Sequence, residues 1–161
     1  MARRKMQNGE CALCGAIGDL TFEHVPPQKA FNNLRTIGLS WDEGLRLGPD
    51  TPIKGKVQQG GVGGYTLCPP CNNNTGGWYA RSLVEWCYRG MAILERSRAR
   101  ADLFHMRGVH PLRVLKEIMV MFCSVNRKIT TAQPWLRRFL LNRDSQEWMD
   151  GWRVFWVWFP S

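Results

Sequence analysis

Four cysteines in two Cys-x-x-Cys pairs are the residues of this chain whose spacing most directly predicts chemistry. Cys11 and Cys14 form the first pair, and Cys68 and Cys71 form the second. Each pair can bind an ion from one tight turn, and four thiolates are the donor set of a tetrahedral structural zinc site. The repeated spacing favours a shared zinc ion over two redox motifs or loose thiols.

A second group of polar residues lies beside these pairs and supplies a different chemistry. Glu23 and His24 stand between the two pairs, and Asn72 directly follows Cys71. The side-chain oxygen atoms of Glu23 and Asn72 are hard ligands, which suit Mg²⁺ or Mn²⁺ rather than a second tightly bound zinc. Histidine, with an ordinary pKa of about 6.5, is a titratable base near neutral pH. The chain therefore has one candidate site that would hold the fold and another that could cleave a substrate.

The order of these residues resembles a known family. Cys11-Ala12-Leu13-Cys14 precedes Glu23-His24-Val25-Pro26-Pro27, and Leu67-Cys68-Pro69-Pro70-Cys71-Asn72-Asn73-Asn74-Thr75-Gly76 follows. Over about residues 9 to 82 this pattern resembles the HNH endonucleases. The resemblance implies a ββα-metal fold, in which a β-hairpin and a helix hold one divalent ion and a four-cysteine zinc braces them.

The resemblance also implies a role for each matching residue. Glu23 matches the acidic ligand of the catalytic divalent ion, and Asn72 matches the family's last ligand of that ion. His24 matches the general base that takes a proton from the attacking water. A phosphodiester is an anion that repels hydroxide, so its cleavage requires both a masked charge and an activated water. The implied function is hydrolysis of phosphodiester bonds in nucleic acid.

Two features depart from the family's pattern. Gly63 stands where the family usually has an asparagine that orients the histidine, so Asn32, Asn33, Asn73 or Asn74 would have to take that role. The segment between the two half-sites is also longer than is typical. The alternative hypothesis is a non-catalytic zinc module that binds nucleic acid or scaffolds a larger complex.

Charge points to the class of partner. The net charge is +9 and the sequence pI is about 9.7, which favours a polyanionic partner, and we expect DNA rather than RNA. A basic surface kept for solubility is the alternative, since charge alone specifies no partner. Lys29 and Arg81 lie closest in sequence to the candidate site and are the predicted contacts to the nucleic-acid backbone.

Targeting signals are absent from the sequence pattern. The basic start of the chain is followed by polar residues where a secretory signal would have an apolar region. No apolar run approaches the roughly 20 residues needed to cross a bilayer. We therefore expect a cytoplasmic protein that does not contact membranes.

The strands and helices expected around these residues give an α+β fold in two parts. Residues 1–82 would form a small zinc-stapled ββα-metal module, because their many Gly, Pro, Asn and Cys residues leave little hydrophobic core. Residues 83–161 would form a mostly helical extension with a terminal strand.

Helical periodicity is visible from about residue 78 onward. We expect a helix from that point through Leu94, one from Pro111 to Val125 and one from Pro134 to Leu141. Cys87 and Cys123 fall on apolar helix faces and are interpreted as buried small apolar side chains. The predicted apolar face of the second helix consists of Leu112, Leu115, Ile118, Met119, Phe122 and Cys123.

The end of the chain reads as a strand. Residues Trp152 to Phe159 are aromatic and β-branched, with apolar side chains on both faces. Such a strand requires a cover. We therefore expect self-association or a partner subunit at this strand, or a chain that continues in the complete gene product.

Overall fold

A computed structural model describes residues 7–39, 41–48, 51–98 and 106–148. The predicted terminal strand lies outside these residues. The architecture is mixed α+β, with two small antiparallel sheets and a set of helices, which confirms the predicted fold class. None of the described helices combines the length and the apolar character needed to cross a bilayer.

The larger sheet has three antiparallel strands in the order β1–β2–β5. These are β1 (Gln7–Glu10), β2 (Ile17–His24) and β5 (Gly63–Leu67). Buried and more exposed residues alternate along the end of β2, as expected for a strand with one face on the core. Pro26 and Pro27 then follow, and proline cannot donate to a strand ladder. The strand therefore ends at the residues that carry the candidate chemistry.

The long segment between β2 and β5 forms a separate small unit. It contains β3 (Thr36–Gly38), α1 (Trp41–Leu45) and β4 (Lys56–Gln58), and β3 pairs with β4 in an antiparallel sheet of two strands. Because β2 and β5 pair directly, this segment is an insertion between two neighbouring strands of the main sheet.

A nearly continuous helical run follows β5. It comprises α2 (Pro69–Thr75), a π-helical segment (Gly76–Ala80) and α3 (Arg81–Ser97). The run begins at Pro69, before the residue 78 at which helical periodicity becomes visible in the sequence, because Pro69 and Pro70 occupy the first turn, where a missing N–H costs nothing. Cys71 and Asn72 therefore lie inside the first helix rather than before it.

The remaining helices are α4 (Pro111–Val125), α5 (Ile129–Ala132) and α6 (Pro134–Leu141). The predicted bounds of α4 and α6 are confirmed at both ends. Helices α4 and α6 each begin at a proline, whose fixed φ suits a first helical turn and whose missing N–H would be unpaired there in any case.

The predicted buried face of α4 is wrong in part. Cys123 is buried as expected, but Phe122 is 53% exposed. The buried residues are Val114, Lys116, Glu117, Val120, Cys123 and Ser124. Three of these are polar, and apolar periodicity gave no reason to place them inside.

Lys116 shows how one of these polar residues is accommodated. Its Nζ donates to the carbonyl oxygens of Asn142 and Arg143 at 2.8 and 3.2 Å, just beyond the end of α6. It also lies 4.5 Å from the ring centroid of Phe139. Burial lowers the pKa of Lys116. The ammonium thus satisfies carbonyls near a helix end that would otherwise have no partner.

One hydrophobic core joins the two predicted parts. Leu13, Leu20 and Leu67 from the sheet region share a buried cluster with Leu136 and Leu140 of α6. Residues 82 and 83 lie within α3, so the boundary drawn between 1–82 and 83–161 crosses a helix. The division into a zinc-stapled module and a helical extension stays a prediction.

Hydrogen bonds also cross that boundary. The Tyr79 hydroxyl donates to the Leu140 carbonyl at 3.0 Å, and the Thr130 hydroxyl donates to the Ala12 carbonyl at 2.7 Å. Both bonds are buried. The helices after residue 110 are therefore fastened to the cysteine-bearing turns.

Candidate functional site

The four paired cysteines converge on one point. Their sulfur atoms all lie within 4.8 Å of one another, and the Sγ atoms of Cys14 and Cys68 are 3.7 Å apart. Sulfurs of a tetrahedral zinc–thiolate site are expected roughly 3.8 Å apart, because each Zn–S bond is about 2.3 Å. The predicted metal-binding arrangement of Cys11, Cys14, Cys68 and Cys71 is therefore confirmed.

Backbone turns hold these sulfurs in place. The Gly15 N–H donates to the Cys11 carbonyl at 2.9 Å and closes the first turn. The Asn72 N–H donates to the Cys68 carbonyl at 3.0 Å and closes the second at the start of α2. The Cys68 N–H also points at the Cys11 sulfur, at 3.3 Å. Hydrogen bonds from the Cys71 thiol and from backbone N–H groups lower the pKa of Cys11, which favours the thiolate that a metal requires.

Glu23 is a buried carboxyl group of strand β2. It is only 8% exposed, although it lies near the end of β2. Its Oε2 accepts hydrogen bonds from the Thr66 hydroxyl at 3.0 Å and from the Ser124 hydroxyl at 2.6 Å. Burial raises the pKa of Glu23, and the two hydroxyl donors partly oppose that rise. Helix α4 therefore covers the residue that the sequence pattern assigned to a divalent ion.

A second buried carboxyl group belongs to the same region. Glu117 of α4 is 4% exposed, and its Oε2 has no hydrogen-bond partner among the described residues. Burial and the charge of Glu23 raise the pKa of Glu117 to about 8. Glu117 lies two helical turns before Ser124 on the same face of α4, and Ser124 contacts Glu23.

Asn72 reaches the same face of β2 as Glu23. Its side-chain amide donates to the Thr21 hydroxyl at 2.8 Å, and Thr21 in turn donates to the Leu67 carbonyl at 3.1 Å. Thr21 and Glu23 are two residues apart on one strand, so their side chains lie on the same face. The structure thus brings Asn72 and Glu23 to one side of the sheet.

His24 lies on the other face of β2. Its ring makes an edge contact with Phe22, at 5.0 Å between centroids, and Phe22 contacts Tyr65 in the same way at 5.4 Å. The imidazole is partly exposed, whereas the neighbouring carboxyl group is buried. The predicted base and the predicted metal ligand therefore come from adjacent residues whose side chains leave the strand in opposite directions.

Gly63, which stands where the HNH pattern usually has an asparagine, has no room for a side chain. Gly63 pairs with His24 across the sheet, and a Cβ atom there would lie 2.1 Å from the Glu23 carbonyl oxygen. No side chain can stand at this position without moving the strands apart. Among the substitutes considered above, Asn32 is fully engaged elsewhere, because its amide bonds to the backbone of Pro26 and Val62 at 2.6 to 2.7 Å.

The predicted nucleic-acid contacts are both on the surface. Lys29 is exposed after β2. Arg81 is exposed at the start of α3, where it forms an ion pair of 2.9 Å with Glu85. Neither residue is held by the core, and both remain predictions as contacts to a phosphate backbone.

Sequence reasoning missed Ser124, Thr66 and Glu117. Ser124 and Glu23 are 101 residues apart, and no short motif connects them. No sequence signal pointed to Glu117 either, because its burial in α4 is visible only in the structure.

Comparisons with known proteins add no relative. No protein-family model matches this chain, and neither a curated protein nor a solved structure matches it.

Proposed function

We propose that this chain is a metal-dependent endonuclease of the HNH type, which hydrolyses phosphodiester bonds in DNA. The observation that supports this best is the arrangement around β2 and β5. Strands β2 and β5 are antiparallel, and α2 follows β5 directly. The four cysteines lie together beside these elements, and Glu23 and His24 are the last two residues of β2. We further propose that the ion bound by the four cysteines is zinc, because four sulfur donors at tetrahedral spacing suit that ion.

Each candidate site residue then has a chemical role. A hard divalent ion, Mg²⁺ or Mn²⁺, would supply charge to a scissile phosphate and to the departing oxygen. Glu23 and Asn72 would hold it from one face of β2, since both side chains reach that face. His24 would accept a proton from the attacking water, as the resemblance implies, and its partly exposed imidazole lies on the opposite face of β2 from Glu23.

A non-catalytic zinc module that binds nucleic acid is the second candidate. The observation that favours it is the covering of Glu23 by α4, through the 2.6 Å bond from Ser124. A scissile phosphate must reach the divalent ion, and a carboxyl group that is 8% exposed leaves little room for it. On this proposal the basic surface binds DNA without cleaving it.

Cleavage of supercoiled plasmid by the zinc-loaded chain with Mg²⁺ or Mn²⁺ separates the two candidates. We expect nicking by the native protein and its loss in His24→Ala, because general-base catalysis typically contributes about 10²–10⁴-fold. His110→Ala is a matched control, since His110 is an exposed histidine at the start of α4. Zinc content is measured in all three proteins, so that lost activity is not mistaken for lost folding.

Each outcome has a distinct meaning. Nicking that survives His24→Ala would contradict the assigned base. DNA binding in a gel without cleavage by the native chain would favour the binding module. The partner surface predicted at the terminal strand and the cytoplasmic location stay predictions.

A further inference from the structure

Two aromatic rings meet on the surface of the protein, although their residues are distant in the sequence. Phe31 follows β2, and Tyr88 lies in α3. Their ring centroids are 4.8 Å apart and the ring planes are tilted by 56°, yet Phe31 remains 44% exposed and Tyr88 remains 54% exposed. Single exposed apolar residues are ordinary on a protein surface, but two large rings that contact each other in solvent point to a binding surface.

The backbone holds Phe31 in this outward position. Its neighbours Ala30 and Asn32 are both buried, and the Asn32 amide group forms three hydrogen bonds of 2.6–2.7 Å to the backbone of Pro26 and Val62. Phe31 itself has a φ of +64°, a left-handed conformation that is an outlier for a bulky side chain. Such strained backbone is concentrated at functional sites, because the surrounding structure must maintain it.

Cationic residues accompany both rings. Lys29 is exposed two residues before Phe31. Arg81 lies seven residues before Tyr88 in α3, so these two residues share one face of the helix and are roughly 10 Å apart along its axis. Arg81 pairs with Glu85 at 2.9 Å, but 88% of its side chain stays exposed, and such a surface ion pair contributes little. Exposed aromatic rings with nearby cations are complementary to a single strand of nucleic acid, whose bases stack and whose phosphates are anionic.

We propose that Phe31 and Tyr88 form a stacking surface for unpaired bases of single-stranded DNA, and that Lys29 and Arg81 bind the adjacent phosphates. The bases of an uninterrupted duplex are stacked on one another, so only an unpaired base offers a free face to a protein ring. The inference rests on the proposed function and deepens it, because it names the substrate class as DNA that contains a single-stranded or unpaired region.

Fluorescence anisotropy with a labelled oligothymidine, and with a labelled duplex of the same length, measures binding by the zinc-loaded chain without Mg²⁺ or Mn²⁺. We expect tighter binding to the single strand. Phe31→Leu and Tyr88→Leu keep an apolar side chain but remove the ring, so each should weaken single-strand binding by roughly 5- to 150-fold, the range typical of base–aromatic stacking. Phe122→Leu is the matched control, because Phe122 is a similarly exposed aromatic residue, at 53%, on α4.

The salt dependence of binding separates stacking from charge. Lys29→Gln and Arg81→Gln should each lower the slope of log affinity against log salt concentration by about 0.7, the value for one phosphate contact to a single strand. The two leucine variants should leave that slope unchanged. A slope in Arg81→Gln equal to that of the native chain would overturn the phosphate contact assigned to Arg81.

The outcomes also separate this inference from the proposed function. Equal single-strand affinity in the native chain and both leucine variants, no single-strand binding by the native chain, or a preference for the duplex would overturn the inference. A native dimer that becomes a monomer in Tyr88→Leu, as measured by analytical ultracentrifugation, would also overturn it, because the rings would then join two copies of the chain.

Plasmid cleavage is judged independently of these binding measurements. If single-strand binding depends on both rings but the native chain does not cleave plasmid, the stacking surface stands and the proposed nuclease fails. If the native chain cleaves plasmid and both leucine variants bind single strands normally, the nuclease stands and the stacking surface fails. Zinc content and circular dichroism of each variant confirm folding.

Discussion

Replacing Glu117 with glutamine should make the protein more stable in buffer that contains zinc but no Mg²⁺ or Mn²⁺. In the folded chain the pKa of Glu117 is raised to about 8, against an ordinary value of 4.5, by burial and by the charge of Glu23. Between these two pH values the folded state holds a proton on Glu117 that the unfolded state releases. Stability is therefore lost as the pH rises from about 4.5 toward 8.

The size of the effect follows from that difference in pKa. Each pKa unit corresponds to about 1.4 kcal/mol, so the free energy lost at pH 7 is about 3 kcal/mol. Glutamine has a similar shape and does not ionise, so Glu117→Gln avoids this loss. A gain of that size should raise the melting temperature by roughly 6–12 °C in a chain of this length.

Urea unfolding of the native chain and Glu117→Gln between pH 6 and 8 measures this gain. The difference in unfolding free energy should grow from about 2 kcal/mol at pH 6 to about 4 kcal/mol at pH 8. Glu95→Gln, which changes an exposed carboxylate, should show no such trend.

A difference that does not change with pH would refute this reasoning, as would a Glu117→Gln chain that is less stable than the native one. Either result would mean that Glu117 is ionised at little cost in the folded state. It would then have solvent or a cation beside it, and the description of a buried, unpaired carboxyl group would be wrong.

Three further predictions concern the frame of the site. Cys71→Ser should abolish stoichiometric zinc binding and unfold much of the chain, and equal zinc content in the variant would contradict the four-cysteine site. Gly63→Ala should disrupt the pairing of β2 and β5, because its Cβ would lie 2.1 Å from the Glu23 carbonyl; an unchanged melting temperature would refute this. Tyr79→Phe should cost about 1–3 kcal/mol by leaving the buried Leu140 carbonyl unpaired. When Tyr79→Phe is heated, zinc release and helix unfolding should occur in one transition. Two separate transitions would show that the cysteine-bearing turns and the later helices do not share one core.

Local patterns allowed several elements to be predicted. Pro111 and Pro134 marked the beginnings of α4 and α6 because proline suits a first helical turn whatever surrounds it. The cysteine site could also be predicted, because chelation from one tight turn depends on a spacing of only a few residues. By contrast, the buried face of α4 could not be predicted from apolar periodicity, because Lys116 and Ser124 form hydrogen bonds there with groups that are distant in the sequence.

The sequence by itself therefore determined the donor set of the metal site, the adjacency of Glu23 and His24, and the bounds of the proline-started helices. Only the tertiary structure decided that Glu23 is buried, that His24 leaves the opposite face of β2, and that α4 brings Ser124 to Glu23. The physical reason is how far apart in the sequence the interacting residues lie. Chelating turns and helix starts depend on neighbours along the chain, whereas the environment of a carboxyl group depends on residues that folding brings from 101 positions away.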